Sequence, residues 1–146
     1  MHAVRSLFAA ILLTVASGTY AFETVAGPRE ARAMTDEVMA RVGANDLDAA
    51  VQLLKSYTIA PEAEAEVVAG IGQLKLQQSM IGQRFGSSLG TEFVREEKVG
   101  DSLLRITHLH RFAKHAMRWS FLFYRSDKGW LLDTFAFDDN IVALFP

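Results

Sequence analysis

The stretch 117-MRWSFLFYRSDKGWLLDTFAFD-138 decides the fold. Trp119, Phe121 and Phe123 alternate with polar or smaller residues, Arg125-Ser126-Asp127-Lys128-Gly129 interrupts them, and Phe135 and Phe137 resume the alternation. Period-two aromatics around an Asp-Lys-Gly break predict a β-hairpin with two chemically different faces. The loop length sets which residues share a face, because one residue of slip turns every side chain over. A three-residue loop with Gly129 left-handed, or a loop over 125–129, pairs odd residues with odd. Met117, Trp119, Phe121 and Phe123 would then lie with Leu131, Asp133, Phe135 and Phe137. A two- or four-residue loop would move Asp133 to the other face.

Working back from the hairpin, 102–112 and 91–98 also alternate, with Val99-Gly100-Asp101 and a weak turn near Lys114 between runs. Four strands in an antiparallel meander are expected. A three-residue loop over Ala113, Lys114 and His115 would set Leu104, Ile106, His108, His110 and Phe112 beside Ala116, Arg118, Ser120, Leu122 and Tyr124. Before Gly90 the period is helical. Pro28 opens a segment with Ala31, Met34, Val38 and Val42 on one side and Gly43 at its end. Asn45 or Asp46 caps a second helix carrying Leu47, Ala50, Val51 and Leu54. After an extended piece at 56–60, Pro61 starts a third helix with Val67, Ile71, Leu74 and Ile81 inward, ending near Gly82 or Gly86. Glu62, Glu64 and Glu66 suit its positive N-terminus. Helices first and strands after give an α+β domain, with N-terminal helices packed on one face of a curved antiparallel sheet of about four strands.

Residues 1–21 read as a secretory signal peptide: Arg5, the apolar run from Leu7 to Ala16, then Thr19-Tyr20-Ala21 as a cleavage site, with Ser17 an earlier option. The run falls short of the ~20 residues of a spanning helix, so export to the periplasm or beyond is expected rather than an uncleaved anchor. Residues 22–146 then form one domain. The whole chain has 15 Lys and Arg against 17 Asp and Glu, net −2, and losing Arg5 with the signal makes it −3. The bases are scattered, which gives no support to nucleic-acid binding. There is no cysteine, so disulfides, thiolate metal sites, a cysteine nucleophile and lipid attachment at cysteine are excluded.

Two helices, an extended piece, a longer helix and a curved sheet ending in Trp-x-Phe-x-Phe-Tyr and Gly-Trp-Leu-Leu-Asp-x-Phe-x-Phe-Asp-Asp resemble the NTF2-like, or cystatin-like, cone superfamily. The likeness is to small secreted bacterial members and spans most of residues 28–145. It implies a pocket inside the cone and a homodimer through the sheet, with Trp119 and Phe121 as anchors if they are not core. No family catalytic motif is present, so the resemblance carries over no catalytic residue and implies no cofactor.

The residues themselves offer several sites. Asp133, a carboxylate on an aromatic face, would reach the rim, accept several hydrogen bonds, or have its pKa raised by desolvation, and in the last case could act as a general acid or base; His108 is the alternative base in the cone. His108 and His110, two apart on a strand, project together and could hold a metal, with His115 as a third ligand only if its loop folds back. Arg118 with Ser120, Tyr124 and a histidine could clasp an anionic small molecule. Adjacent acids, Asp138-Asp139 and Glu96-Glu97, face opposite ways on a strand and do not make an acid pair. Gly70-Ile71-Gly72 lies in a helix, without the strand a dinucleotide loop follows. Met34, Met39 and Met80 read as core filling. The expectation is an exported, non-catalytic domain that binds a small ligand or a protein partner. An isomerase- or dehydratase-type enzyme and a histidine metal site are the alternatives.

Overall fold

The computed structural model describes residues 24–57 and 61–146. The expected signal peptide lies outside the described residues. Three helices, α1 (Pro28–Gly43), α2 (Leu47–Tyr57) and α3 (Pro61–Phe85), precede four strands, β1 (Ser88–Val99), β2 (Leu103–Phe112), β3 (Ala116–Ser126) and β4 (Gly129–Asp138). A 3-10 turn at Ile141–Leu144 follows. The strands form one antiparallel sheet in the order β1-β2-β3-β4, so the domain is α+β with its helices N-terminal to the sheet. No described helix is long and apolar enough to cross a membrane.

Local chemistry accounts for the helix boundaries. Pro28 occupies the first turn of α1, where a missing N–H costs nothing, and Ala31, Met34, Thr35, Val38, Met39 and Val42 form its buried stripe. Asn45 takes φ 60 in the turn to α2, a conformation asparagine tolerates better than most residues. The Asp46 carboxylate then accepts from Ala49 N at 3.1 Å, capping α2. Gly86, with φ +86, ends α3 and allows Ala113 to approach closely; a β-carbon there would come within 2.9 Å of it. Ser56 and Tyr57, expected in an extended piece, belong to α2, and residues 58–60 are not among the described residues.

Both hairpins turn more tightly than the sequence suggests. Phe112 N donates to His115 O at 2.8 Å, leaving Ala113-Lys114 as the turn, and β2 pairs with β3 as Leu104↔Phe123, Ile106↔Phe121, His108↔Trp119 and His110↔Met117. The expected three-residue loop is one residue too long. That single count corrects the two faces: His108 and His110 stand beside Trp119 and Met117, not beside Arg118 and Ser120. In the last hairpin Ser126 pairs with Gly129 across Asp127-Lys128. Odd residues nevertheless pair with odd further along, Phe121↔Phe135 and Trp119↔Phe137, because β4 carries a bulge. Leu122 is opposite Thr134 and Phe123 is opposite Leu132, so Asp133 is the extra residue.

The inner face is therefore aromatic along its whole length. Trp119 stacks on Phe137 with centroids 4.9 Å apart and on Phe135 at 6.2 Å, and Phe121 lies 6.4 Å from Phe135. Trp119, Phe121 and Phe123 are wholly buried with Val38, Met39, Leu54, Ile71, Leu104 and Ile106. Each such side chain contributes roughly 1.5–3 kcal/mol relative to exposure. Gly70 lets α3 approach this face, since a β-carbon there would meet the Phe135 ring at 3.3 Å. The placement also corrects the interface expectation: Trp119 and Phe121 are core and cannot anchor a second copy. The edge of β4 is lengthened by Val25, which exchanges both backbone hydrogen bonds with Trp130 at 2.9 and 3.0 Å.

Candidate functional site

The two histidines are the most buried polar groups of the inner face, at 1% exposure for His108 and 4% for His110. Each meets one hydroxyl. His108 Nε2 lies 2.8 Å from Thr35 Oγ1 of α1, and His110 Nε2 lies 2.8 Å from Ser88 Oγ of β1. Each hydroxyl commits its only proton elsewhere: Thr35 donates to Arg32 O at 3.0 Å, and Ser88 donates to Gly43 O at 2.9 Å. A hydroxyl has one proton to give, so in both contacts the imidazole Nε2–H donates and the hydroxyl accepts. Both rings are thereby fixed as neutral Nε2–H tautomers. Burial pushes each pKa down to about 4; for His108 the Asp36 carboxylate, 3.8 Å away, opposes that shift and Arg32 adds to it.

Their surroundings differ. His108 is enclosed edge-on by Phe93 at 5.8 Å and Phe121 at 5.9 Å, and the Arg32 guanidinium covers Phe93, its carbon 3.4 Å from the ring centroid. His110 instead stacks at 4.1 Å on Phe112 and opens onto a cavity of about 150 Å³. That cavity lies between the α1–α2 turn, the C-terminal half of α3 and the ends of β2 and β3. Val42, Leu47, Leu74, Ile81, Phe112 and Met117 supply its apolar wall. Asn45, Gln78, Ser87, Ser88 and His110 are the polar groups, and among the described residues no charged side chain lines it.

A second cavity, of about 220 Å³, shares Ile81 and Met117 with the first and runs on to Arg84, Phe137, Asp138 and Asp139. Its charges have partners within the domain: Arg84 lies 3.4 Å from Asp139, and Arg118 lies 2.6 Å from Asp138. On the inner face the indole Nε1–H of Trp119 is buried without a hydrogen-bond partner among the described residues. An orphan donor of this kind costs about 1–3 kcal/mol.

The structure separates the residues that the sequence grouped. His108 and His110 are inside, while Arg118, engaged by Asp138, and Tyr124, 47% exposed, are on the outer face, so these four do not share one pocket. His115 lies in the β2–β3 turn, its Nε2 3.2 Å from Asp139 O and its ring 4.6 Å from Phe85. Among the described residues no three histidine or acidic side chains gather as a metal site would require. Asp133 is exposed at the rim of a 90 Å³ cleft beside Glu66 and Gly70: the two-residue turn sets it outward after Leu132, as the sequence reading allows for a loop of that length, and the bulge then returns Phe135 inward.

Thr35 and Ser88 were missed as partners. Thr35 stands in the apolar stripe of α1, beside Met34 and Val38, where a hydroxyl calls for a buried partner. The chain matches no family model, no curated protein and no solved structure in the comparisons made.

Proposed function

We propose that this is an exported, non-catalytic domain of NTF2-like shape that binds a small, uncharged, apolar molecule in the cavity beside His110. The export half of the reading is supported by the apolar run from Leu7 to Ala16. The binding half is carried by one observation: an apolar cavity that contains a tautomer-fixed imidazole and lacks a charged lining residue. A charged ligand would lose its hydration there without a counterion, so the chemistry favours a neutral one. The 150 Å³ volume matches an engineered cavity that holds benzene, which sets the scale at a single ring with a few substituents. Asn45, Gln78 and Ser87 supply hydrogen bonds for one polar substituent.

Two-dimensional NMR with phenol, indole and cyclohexanol as probes tests this reading. Saturable shifts at His110, Met117 and Ile81, weakened when Leu74→Trp fills the cavity, are expected. No shift at these residues with any of the three at millimolar concentration would overturn it.

A further inference from the structure

Helix α3 is apolar on two sides. Val67, Ile71, Leu74 and Phe85 are buried toward the sheet, yet Val68 is 48%, Leu76 82% and Met80 64% exposed. Met80, read from the sequence as core filling, is on the wrong side of the helix for that. Together with Ala65, Ala69 and Gly72, these residues recur at intervals of three and four. They trace one outward stripe along a 25-residue helix about 37 Å long. Around Gly72 the stripe is open, and a β-carbon added there would meet nothing within 4 Å.

The two halves of the stripe differ in size and in charge. Residues 61–72 carry Ala65, Ala69 and Gly72 along the stripe, with Val68 the one larger residue, and acids at Glu62, Glu64 and Glu66 and no base. Residues 73–85 carry the large Leu76 and Met80, with bases at Lys75 and Arg84 and no acid. An antiparallel second copy of α3 would set Leu76 and Met80 of each chain over the small residues of the other. It would also oppose each acidic half to a basic one. A parallel copy would put large against large and like charge against like, so the segregation selects both the partner and its direction. Asp48 and Asp139, paired with Lys75 and Arg84, offset the charge of the second half, and Lys55 offsets Glu64 in the first, so the charge that opposes a parallel copy is acid against acid in residues 61–72.

We propose that the protein self-associates through α3, as a two-fold antiparallel helix pair centred near Gly72. A single helix pair falls at the lower end of the ~1,200–2,000 Å² that stable interfaces bury, so the dimer is expected to dissociate at about micromolar concentrations. Leu74 and Ile81 of the same helix line the cavity beside His110 from its buried side, and Met80 of the stripe reaches the adjoining cavity.

The chain has no cysteine, which makes cross-linking a clean test. Residues 72 of the two copies meet at the two-fold axis, whereas residues 65 lie about 20 Å apart, beyond disulfide reach. Mild oxidation should therefore join Gly72→Cys into a covalent dimer and leave Ala65→Cys monomeric. Cross-linking of both would indicate a parallel pair and overturn the proposal, as would failure of Gly72→Cys to cross-link. Light scattering supplies a second readout independent of that variant. Leu76→Glu, at an exposed position, should weaken self-association at least tenfold, whereas Val142→Glu should leave it unchanged. A monomer at every concentration up to several hundred micromolar, or a dimer indifferent to Leu76→Glu, would also overturn it.

Discussion

On the inner face of the sheet the polar side chains are uncharged, and the two histidines each have a dedicated partner, His108 with Thr35 and His110 with Ser88, while the Trp119 indole has none among the described residues. On the outer face, beside the buried Thr107, they include ions paired with ions: Arg105 lies 2.8 Å from Glu97, and Arg118 lies 2.6 Å from Asp138. The difference follows from solvent. Beneath the helices a charge would lose its hydration, so neutral donors and acceptors must satisfy one another there. Outside, water screens each pair, which leaves little net stabilisation from any one of them. Arg105 beside Glu97 still holds that carboxyl below its usual range.

Acid should break this contrast most strongly. Both histidines have folded-state pKa values near 4, against about 6.5 in an unfolded chain. Between those values the unfolded state binds more protons, so stability rises with pH across the window and is lost as pH falls from about 6.5 to about 4. Each histidine accounts for about 3 kcal/mol over that range, a large share of a typical domain's stability. Urea unfolding at a series of pH values should show this loss, and His110→Gln, which keeps a donor at the end of the side chain, should remove about half of it. A flat profile between pH 7 and 4 would mean that the rings are not shielded as their burial indicates.

A smaller effect isolates one inner contact. Thr35→Val keeps the shape of the α1 stripe but removes the acceptor for His108 Nε2–H, leaving a buried donor unpaired. The expected loss is about 1–3 kcal/mol in the urea midpoint at pH 7. The smallest effect belongs outside: Arg118→Ala should cost less than about 1 kcal/mol, and less again in high salt, despite the short Arg118–Asp138 contact. If Arg118→Ala proved more damaging than Thr35→Val, the distinction between the two faces would fail.

The sequence by itself determined the element types and their order. Apolar residues recur at helical spacing before residue 86 and at period two after 90, and a hydrophobic period is a local property. Pro28, Gly43 and Pro61 marked real helix ends for the same reason. Much less of the candidate site was legible. His108 and His110 stood out, but their face depended on whether one turn held two residues or three, a choice made by how β2 and β3 pack rather than by local propensity. The face of Asp133 hung on a similar count: the two-residue Asp127-Lys128 turn sets it outward after Leu132, and the bulge seen only in the pairing of β3 with β4 returns Phe135 and Phe137 to the inner face. Thr35 and Ser88 lie 73 and 22 residues from the histidines they hold. The cavity beside His110 is assembled from the α1–α2 turn, α3 and the ends of two strands. Periodicity speaks for one element at a time, whereas register, bulges and cavities are set where elements meet; tertiary structure alone decided those.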